Sequence, residues 1–189
     1  MDLAQSFDDV VEIAARAKDA RSGMTELIRY LSATAGEFIA PLQAVDISED
    51  VSQVSQQLEQ LVRTEPPRNT LNAFYFGLFD AVDETGAERL GYYIAGVDRY
   101  VPEDPDTLCD PAWWPEGRYL RSHALDAVKM AELAAAQAAR PDTKEFLGYA
   151  GQLGTALIVT RFAATKLGAG SRCVVGFDSG DVTEISVAG

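Results

Sequence analysis

From residue 6 to about residue 20 the apolar side chains Phe7, Val10, Val11, Ile13, Ala14 and Ala17 recur at steps of three and four, which places them on one face of a helix. Ser22-Gly23 reads as a break. Beyond it Met24, Leu27, Ile28, Leu31 and Ala35 form the buried side of a second helix, with Ser22 or Thr25 as its cap. That helix can run on to Phe38 and Ile39 before Pro41 stops it. A third helix, residues 48–63, opens on SEDV: Ser48 can accept a backbone N–H, and two acids follow at the positive end of the helix dipole. Val51, Val54, Leu58, Leu61 and Val62 make its apolar face. Gln and Ser fill the opposite one, so it is expected at the surface, and Pro66-Pro67 ends it.

The period then changes. Between Asn69 and Val82 the positions Ala73, Tyr75, Gly77 and Phe79 alternate with Phe74, Phe76 and Leu78, apolar on both sides, as in a strand covered on both faces. A polar connection containing Thr85-Gly86 leads to an antiparallel partner over residues 90–97, where Gly91 and Gly96 mark a bulge or a close backbone approach. The segment VPEDPDTLCDPAWWPEGRY is irregular. Residues 122–139 predict a helix capped by Ser122, with Leu125, Val128, Leu133 and Ala136 inward, ended by Arg140-Pro141. Residues 146–167 predict another, although the β-branched run LIVT leaves a strand open there. The run Gly148, Gly151, Gly154 lacks the strand and lysine of a phosphate loop and reads as a close helix–helix contact. Gly168-Ala169-Gly170 ends the segment. Residues 172–177 and 182–187 then form a hairpin turning at Asp178-Ser179-Gly180-Asp181.

These elements describe one α+β domain, with N-terminal helices over 1–65 and an α+β part over 69–189. In the second part a small antiparallel sheet from two β-hairpins, about 70–98 and 172–187, packs against two helices. A chain of 189 residues can bury roughly 70% of its unfolded surface, so neither metal nor disulfide is needed to hold it.

Charge changes the picture more than composition does. The net charge of −13 argues against nucleic acid and anionic membranes as partners, since both require clustered Lys and Arg. Cys109 and Cys173 fit no metal spacing and the chain has one histidine, so neither a metal nor a cofactor is expected. Two free thiols in a reducing compartment are the default, with one disulfide as the alternative. The N-terminus carries acids early and has no secretory apolar core, and LGTALIVTRFAATKL is broken by Arg161 and Lys166. A soluble cytoplasmic protein is expected.

The acids are concentrated. Ten lie between Asp80 and Glu116, opposed only by Arg89 and Arg99, and supply more than half of the net charge. The tail of this stretch sets Asp98, Glu103, Asp104, Asp106, Asp110 and Glu116 beside the prolines at 102, 105 and 111 and the pair Trp113-Trp114. Prolines reduce the entropy lost on ordering a loop, and tryptophan beside acids is the composition of an interface anchor in a charged field. Those eight acidic and indole side chains are the candidate partner-binding residues. The bland alternative is a solvated loop with tryptophans covering the end of the core. A calcium loop through Asp104, Asp106 and Asp110 lacks the EF-hand glycine and has prolines in its way. His123, with Asp126 three residues on, has no nucleophile motif beside it, and no catalytic residue is assigned.

The runs AFYFGLFD, GYYIAGVDRYVPEDPDTLCDPAWWPEGRYL and VVGFDSGDVTEI together resemble small acidic immunity-type proteins encoded beside bacterial secreted toxins. In that pattern a YFGLF strand leads through an acidic, cysteine-containing segment to P…RYL. A closing GFDDGD turn corresponds here to residues 176–181, with Ser179 in place of an acid and Trp113-Trp114 as an addition. The resemblance covers about residues 70–187 and leaves the N-terminal helices unmatched. It implies a non-enzymatic inhibitor of a basic toxin domain, in keeping with the acidic surface. The alternatives are a carboxylate-based hydrolase, suggested by acids near aromatic rings that could stack on a sugar, and a structural or assembly subunit that dimerises through its N-terminal helices.

Overall fold

Aspartates, more than serines, set where the first helices begin. In the computed structural model, which describes residues 2–68, 70–167, 172–178 and 180–187, the carboxylate of Asp2 accepts the N–H groups of Ala4 and Gln5 and opens α1 (Leu3–Arg16). Asn69, the breaker Gly168-Ala169-Gly170 and Ser179 lie outside the described residues. The expected break at Ser22-Gly23 falls instead at residues 17–19. Asp19 accepts the Ser22 N–H at 2.7 Å while the Ser22 hydroxyl accepts the Asp19 N–H at 3.2 Å, a reciprocal cap that puts Ser22 inside the first turn of α2 (Ala20–Ala35). Gly23 is therefore a packing residue: a Cβ there would stand 2.7 Å from that of Ala17. A left-handed Gly36 (φ 55°) ends α2 and leads through a 3-10 turn to α3 (Ala40–Gln43). Pro41 sits in the first turn of α3 and so starts a helix where a stop was expected.

The next helix, α4 (Ile47–Thr64), is capped by Asp46, whose Oδ1 accepts the N–H groups of Ser48 and Glu49 at 3.0 and 3.4 Å, two residues before the expected cap at Ser48. Val54, Leu58 and Leu61 are buried along it as its period requires. Later in the chain come α5 (His123–Gln137), α6 (Pro141–Phe146), a π-helical turn (Leu147–Gly151) and α7 (Gln152–Ala163), followed by a 3-10 turn (Ala164–Lys166). The LIVT run is helical and fully buried, because its packed surroundings override its β-branched preference.

The chain folds as two compact units, Met1–Val51 with Ser122–Val159, and Ser52–Arg121 with Thr160–Gly189. The first is helical. Ser122 caps α5 through the Leu125 N–H, as its position predicts, and it is itself held by Asp50, an acid whose sequence position suggests only a dipole contact in its own helix. The carboxylate of Asp50, 1% exposed, accepts the Ser122 hydroxyl at 2.7 Å and the N–H groups of His123 and Ala124 at 2.6 and 3.4 Å. The buried side of α5 is Ala124, Leu125, Ala127, Val128, Ala131 and Ala135; Leu133 is half-buried and Ala136 exposed, contrary to expectation. That rotation buries Lys129 and Glu132. They pair at 2.9 Å, and Gln152 donates to the same Glu132 oxygen at 2.6 Å, so the two charges are matched. Gly148, in the π-helical turn, leaves room for that carboxylate: a Cβ there would lie 3.3 Å from Glu132 Cδ.

The second unit carries the sheet, in the order β2-β1-β3-β4: β1 (Ala73–Val82), β2 (Glu88–Val97), β3 (Arg172–Phe177) and β4 (Val182–Ile185). The α+β class and both hairpins are present. The sheet is mixed where an antiparallel one was expected: β1 pairs with β2 antiparallel and with β3 in parallel, Ala73 opposite Arg172 through Leu78 opposite Phe177. A strand apolar on both faces fits this central position. The β1–β2 register is unbroken, so Gly91 and Gly96 mark close approach and no bulge: a Cβ on Gly91 would lie 2.2 Å from the Phe79 ring. Asp83 organises the turn between these strands. It accepts from Thr85 and from Arg89, which hold its carboxyl below the usual carboxylate range. Among the described residues, no helix is long and apolar enough to cross a membrane.

Asp50 generates a test of the helical unit. Asp50→Ala strands three donors at the start of α5 and is expected to lower stability by about 2 kcal/mol or more in urea unfolding, with an unchanged slope. A loss below about 0.5 kcal/mol, the scale of an ordinary surface change, contradicts the capping role.

Candidate functional site

The acidic segment after β2 is irregular in sequence yet firmly seated. Trp113 and Gly96 exchange both backbone hydrogen bonds at 2.9 Å, Ile94 donates to Arg118 at 3.0 Å, and Leu120 donates to Tyr92 at 2.8 Å. The segment thereby covers the outer edge of β2, which would otherwise expose unpaired backbone groups. Proline at 111 and 115 and glycine at 117 hide this strand-like pairing from a period-two pattern. Glu65, one residue beyond α4, does most of the pinning. Its carbonyl accepts the indole N–H of Trp113 at 2.8 Å, and its carboxylate accepts the N–H groups of Glu116 and Gly117 at 2.6 and 2.9 Å. Gln57, expected on a solvated face, clamps the far end by donating to the Arg121 carbonyl at 2.8 Å and accepting its N–H at 2.9 Å.

Upstream, residues 98–112 fold over one face of the sheet. Tyr100 and Leu108 are buried there against Ala73, Tyr75, Tyr93, Ala95, Val97 and Val174. A 3-10 turn (Pro105–Leu108) keeps Leu108 inward and carries Glu103, Asp104, Asp106 and Asp110 outward. Between this turn and the β3–β4 hairpin the structure leaves a cavity of about 830 Å³. Tyr75 and Tyr93 line it from the sheet, Asp106, Leu108, Cys109 and Trp114 from the segment, and Phe177, Asp178 and Val182 from the hairpin.

The tyrosines are fixed by close packing. The Tyr93 ring lies across Gly77, where any Cβ would stand 2.3 Å from Cε1, and its hydroxyl donates to Asp178 Oδ1 at 2.5 Å. Burial first, and then the Asp178 carboxylate, push the Tyr93 and Tyr75 hydroxyls well above the ordinary tyrosine range, so both stay protonated donors. Tyr93 also meets Trp114 edge-on at 5.3 Å between centroids, and Arg118 lies over the Trp114 ring at 4.4 Å.

The eight sequence-derived candidates therefore separate. Trp113 is 7% exposed, packs edge-on against Phe74 at 5.8 Å and belongs to the core; Trp114 is 49% exposed. Asp98, Glu103, Asp104, Asp106, Asp110 and Glu116 are all exposed, and none pairs with a Lys or Arg among the described residues. Only Asp106 and Trp114 of the eight line the cavity. Tyr75, Tyr93 and Asp178 complete it from distant parts of the chain, and nothing in their local spacing marks them. His123 is exposed at the start of α5. Among the described residues no group of three or more His, Cys, Asp and Glu is placed to hold a metal ion. Cys109 is an exposed free thiol; Cys173 is a buried one, which burial first and Glu184 second push up to about 12.

No protein-family model, curated protein or solved structure matches the chain.

Two outcomes follow from this placement. Trp113→Ala is expected to cost about 3 kcal/mol or more in urea unfolding, and Trp114→Ala no more than about 1 kcal/mol; equal losses contradict the division of the pair into core and surface. A disulfide-exchange reagent at neutral pH should titrate one thiol per native chain, Cys109, with Cys173 reacting only after unfolding. Rapid reaction of both in the native state contradicts the burial of Cys173.

Proposed function

We propose that this chain is a non-enzymatic acidic binding protein of the immunity type, which neutralises a cognate basic toxin domain in the cytoplasm by occluding its active site. The observation that carries the reading is the set of six exposed carboxylates, without basic partners among the described residues, on a segment whose backbone is tied to the sheet. Charges that are not neutralised within their own chain project a field that speeds encounter with a cationic surface. A loop held in place by Glu65 and Leu108 loses little entropy when it docks. Trp114 gives that surface an aromatic anchor, and Trp113 is needed to hold it there.

The test is titration of the purified protein with the product of the adjacent open reading frame. A stable complex is expected, with association slowing as salt rises. The triple change Asp104→Asn, Asp106→Asn, Asp110→Asn should weaken it by at least about tenfold while leaving the urea midpoint near wild type. Absence of a complex, or an affinity indifferent to the three substitutions, contradicts the proposal.

A further inference from the structure

The cavity beneath the acidic segment has a recognition chemistry of its own. Tyr75, Tyr93, Trp114 and Phe177 give it aromatic walls, its charged lining groups are the carboxylates of Asp106 and Asp178, and no Lys, Arg or His is among the described residues that line it. An anion would meet repulsion there. A neutral apolar ligand would bury two carboxylates without offering a counter-charge, which is costly. A cation on an apolar stem satisfies both features, because ring faces attract positive charge and also pack against methylene groups. The chain already shows one such contact: Arg118, which does not line the cavity, lies over the Trp114 ring at 4.4 Å. The two carboxylates offset the repulsion that a second cation near Arg118 would meet.

Building on the acidic-binding reading, we infer that this cavity receives an arginine side chain of the basic partner, its stem between the rings and its guanidinium facing Asp106 and Asp178. A volume of about 830 Å³ holds the side chain together with the backbone on either side of it; pockets for compact organic ligands run from about 300 to 1,000 Å³. Arginine fits better than lysine because its planar, weakly hydrated head both stacks on rings and donates to two carboxylates at once. Asp178 keeps one oxygen engaged by the Tyr93 hydroxyl, which fixes the carboxylate at the cavity wall.

Cys109 supplies a reporter, since it is exposed and lines the cavity while Cys173 is buried. The experiment measures the rate of Cys109 alkylation by neutral iodoacetamide on the full chain, at matched ionic strength, with n-butylguanidinium, n-butylammonium or the uncharged isostere n-butylurea. Saturable, severalfold slowing by butylguanidinium and none by butylurea is the expected result. Asp106→Asn and Asp178→Asn, each with a native urea midpoint, should raise the half-saturating concentration about tenfold, the size of one lost charge-assisted contact. Equal protection by butylurea, no saturable slowing, or variants that protect as well as wild type overturn the inference. Tighter protection by butylammonium overturns the choice of arginine. These probes need no partner protein, so their failure leaves the acidic-surface reading to its own titration, and failure of that titration leaves the cavity result standing.

Discussion

The hold that Glu65 has on the segment after β2 is the constraint on which the proposed binding surface rests. One residue offers a carbonyl to the Trp113 indole and a carboxylate to two successive backbone N–H groups, and Trp113 returns a two-way backbone pair to Gly96. Hydrogen bonds to a charged acceptor are worth about twice a neutral one. Together they seat residues 113–117, which belong to no helix or strand. With Trp113 inside, Trp114 must turn outward, since consecutive side chains on an extended backbone point to opposite faces. The same pinning places Pro111 and Trp114 in the lining of the cavity and leaves the neighbouring carboxylates exposed.

Carboxylates do two separate jobs in this chain. Asp2, Asp19, Asp46, Asp50, Glu65 and Asp83 accept backbone or side-chain donors and so fix helix starts, a turn and a loop. The acids from Asp98 to Glu116 hold no basic side chain among the described residues. A net charge of −13 thus overstates the surface available to a partner, because part of it is structural. The buried Lys129–Glu132 pair with Gln152 is the converse case, a polar cluster matched internally and placed inside the helical unit.

Much of the fold was legible in the pattern. The helix faces of α1, α2 and α4, the Ser122 cap and both hairpins follow from periodicity and turn chemistry, and each is local information. What escaped was non-local or reciprocal. Asp19 outranked Ser22-Gly23 because a cap closed from both sides is stronger than a breaker pair. The parallel β1–β3 pairing joins residues about a hundred positions apart, and no local spacing encodes it. The apolar pattern of α5 places Leu133 and Ala136 inward, whereas the helix buries Lys129 and Glu132, whose charges are matched by each other and by Gln152 on another helix. Of the eight side chains that composition singles out, Asp106 and Trp114 line the cavity. Tyr75, Tyr93 and Asp178 could not be found that way, since they converge only through the sheet and through Gly77, whose missing side chain admits the Tyr93 ring.

Whether the acidic segment is ordered before any partner arrives can be read directly from residue-resolved amide hydrogen exchange on the free protein. The N–H groups of Ile94, Gly96, Trp113, Glu116, Gly117 and Leu120 should be protected nearly as well as those between β1 and β2. Exchange of the Trp113, Glu116 and Gly117 amides at unfolded-chain rates, while the β1–β2 amides remain protected, would contradict the account.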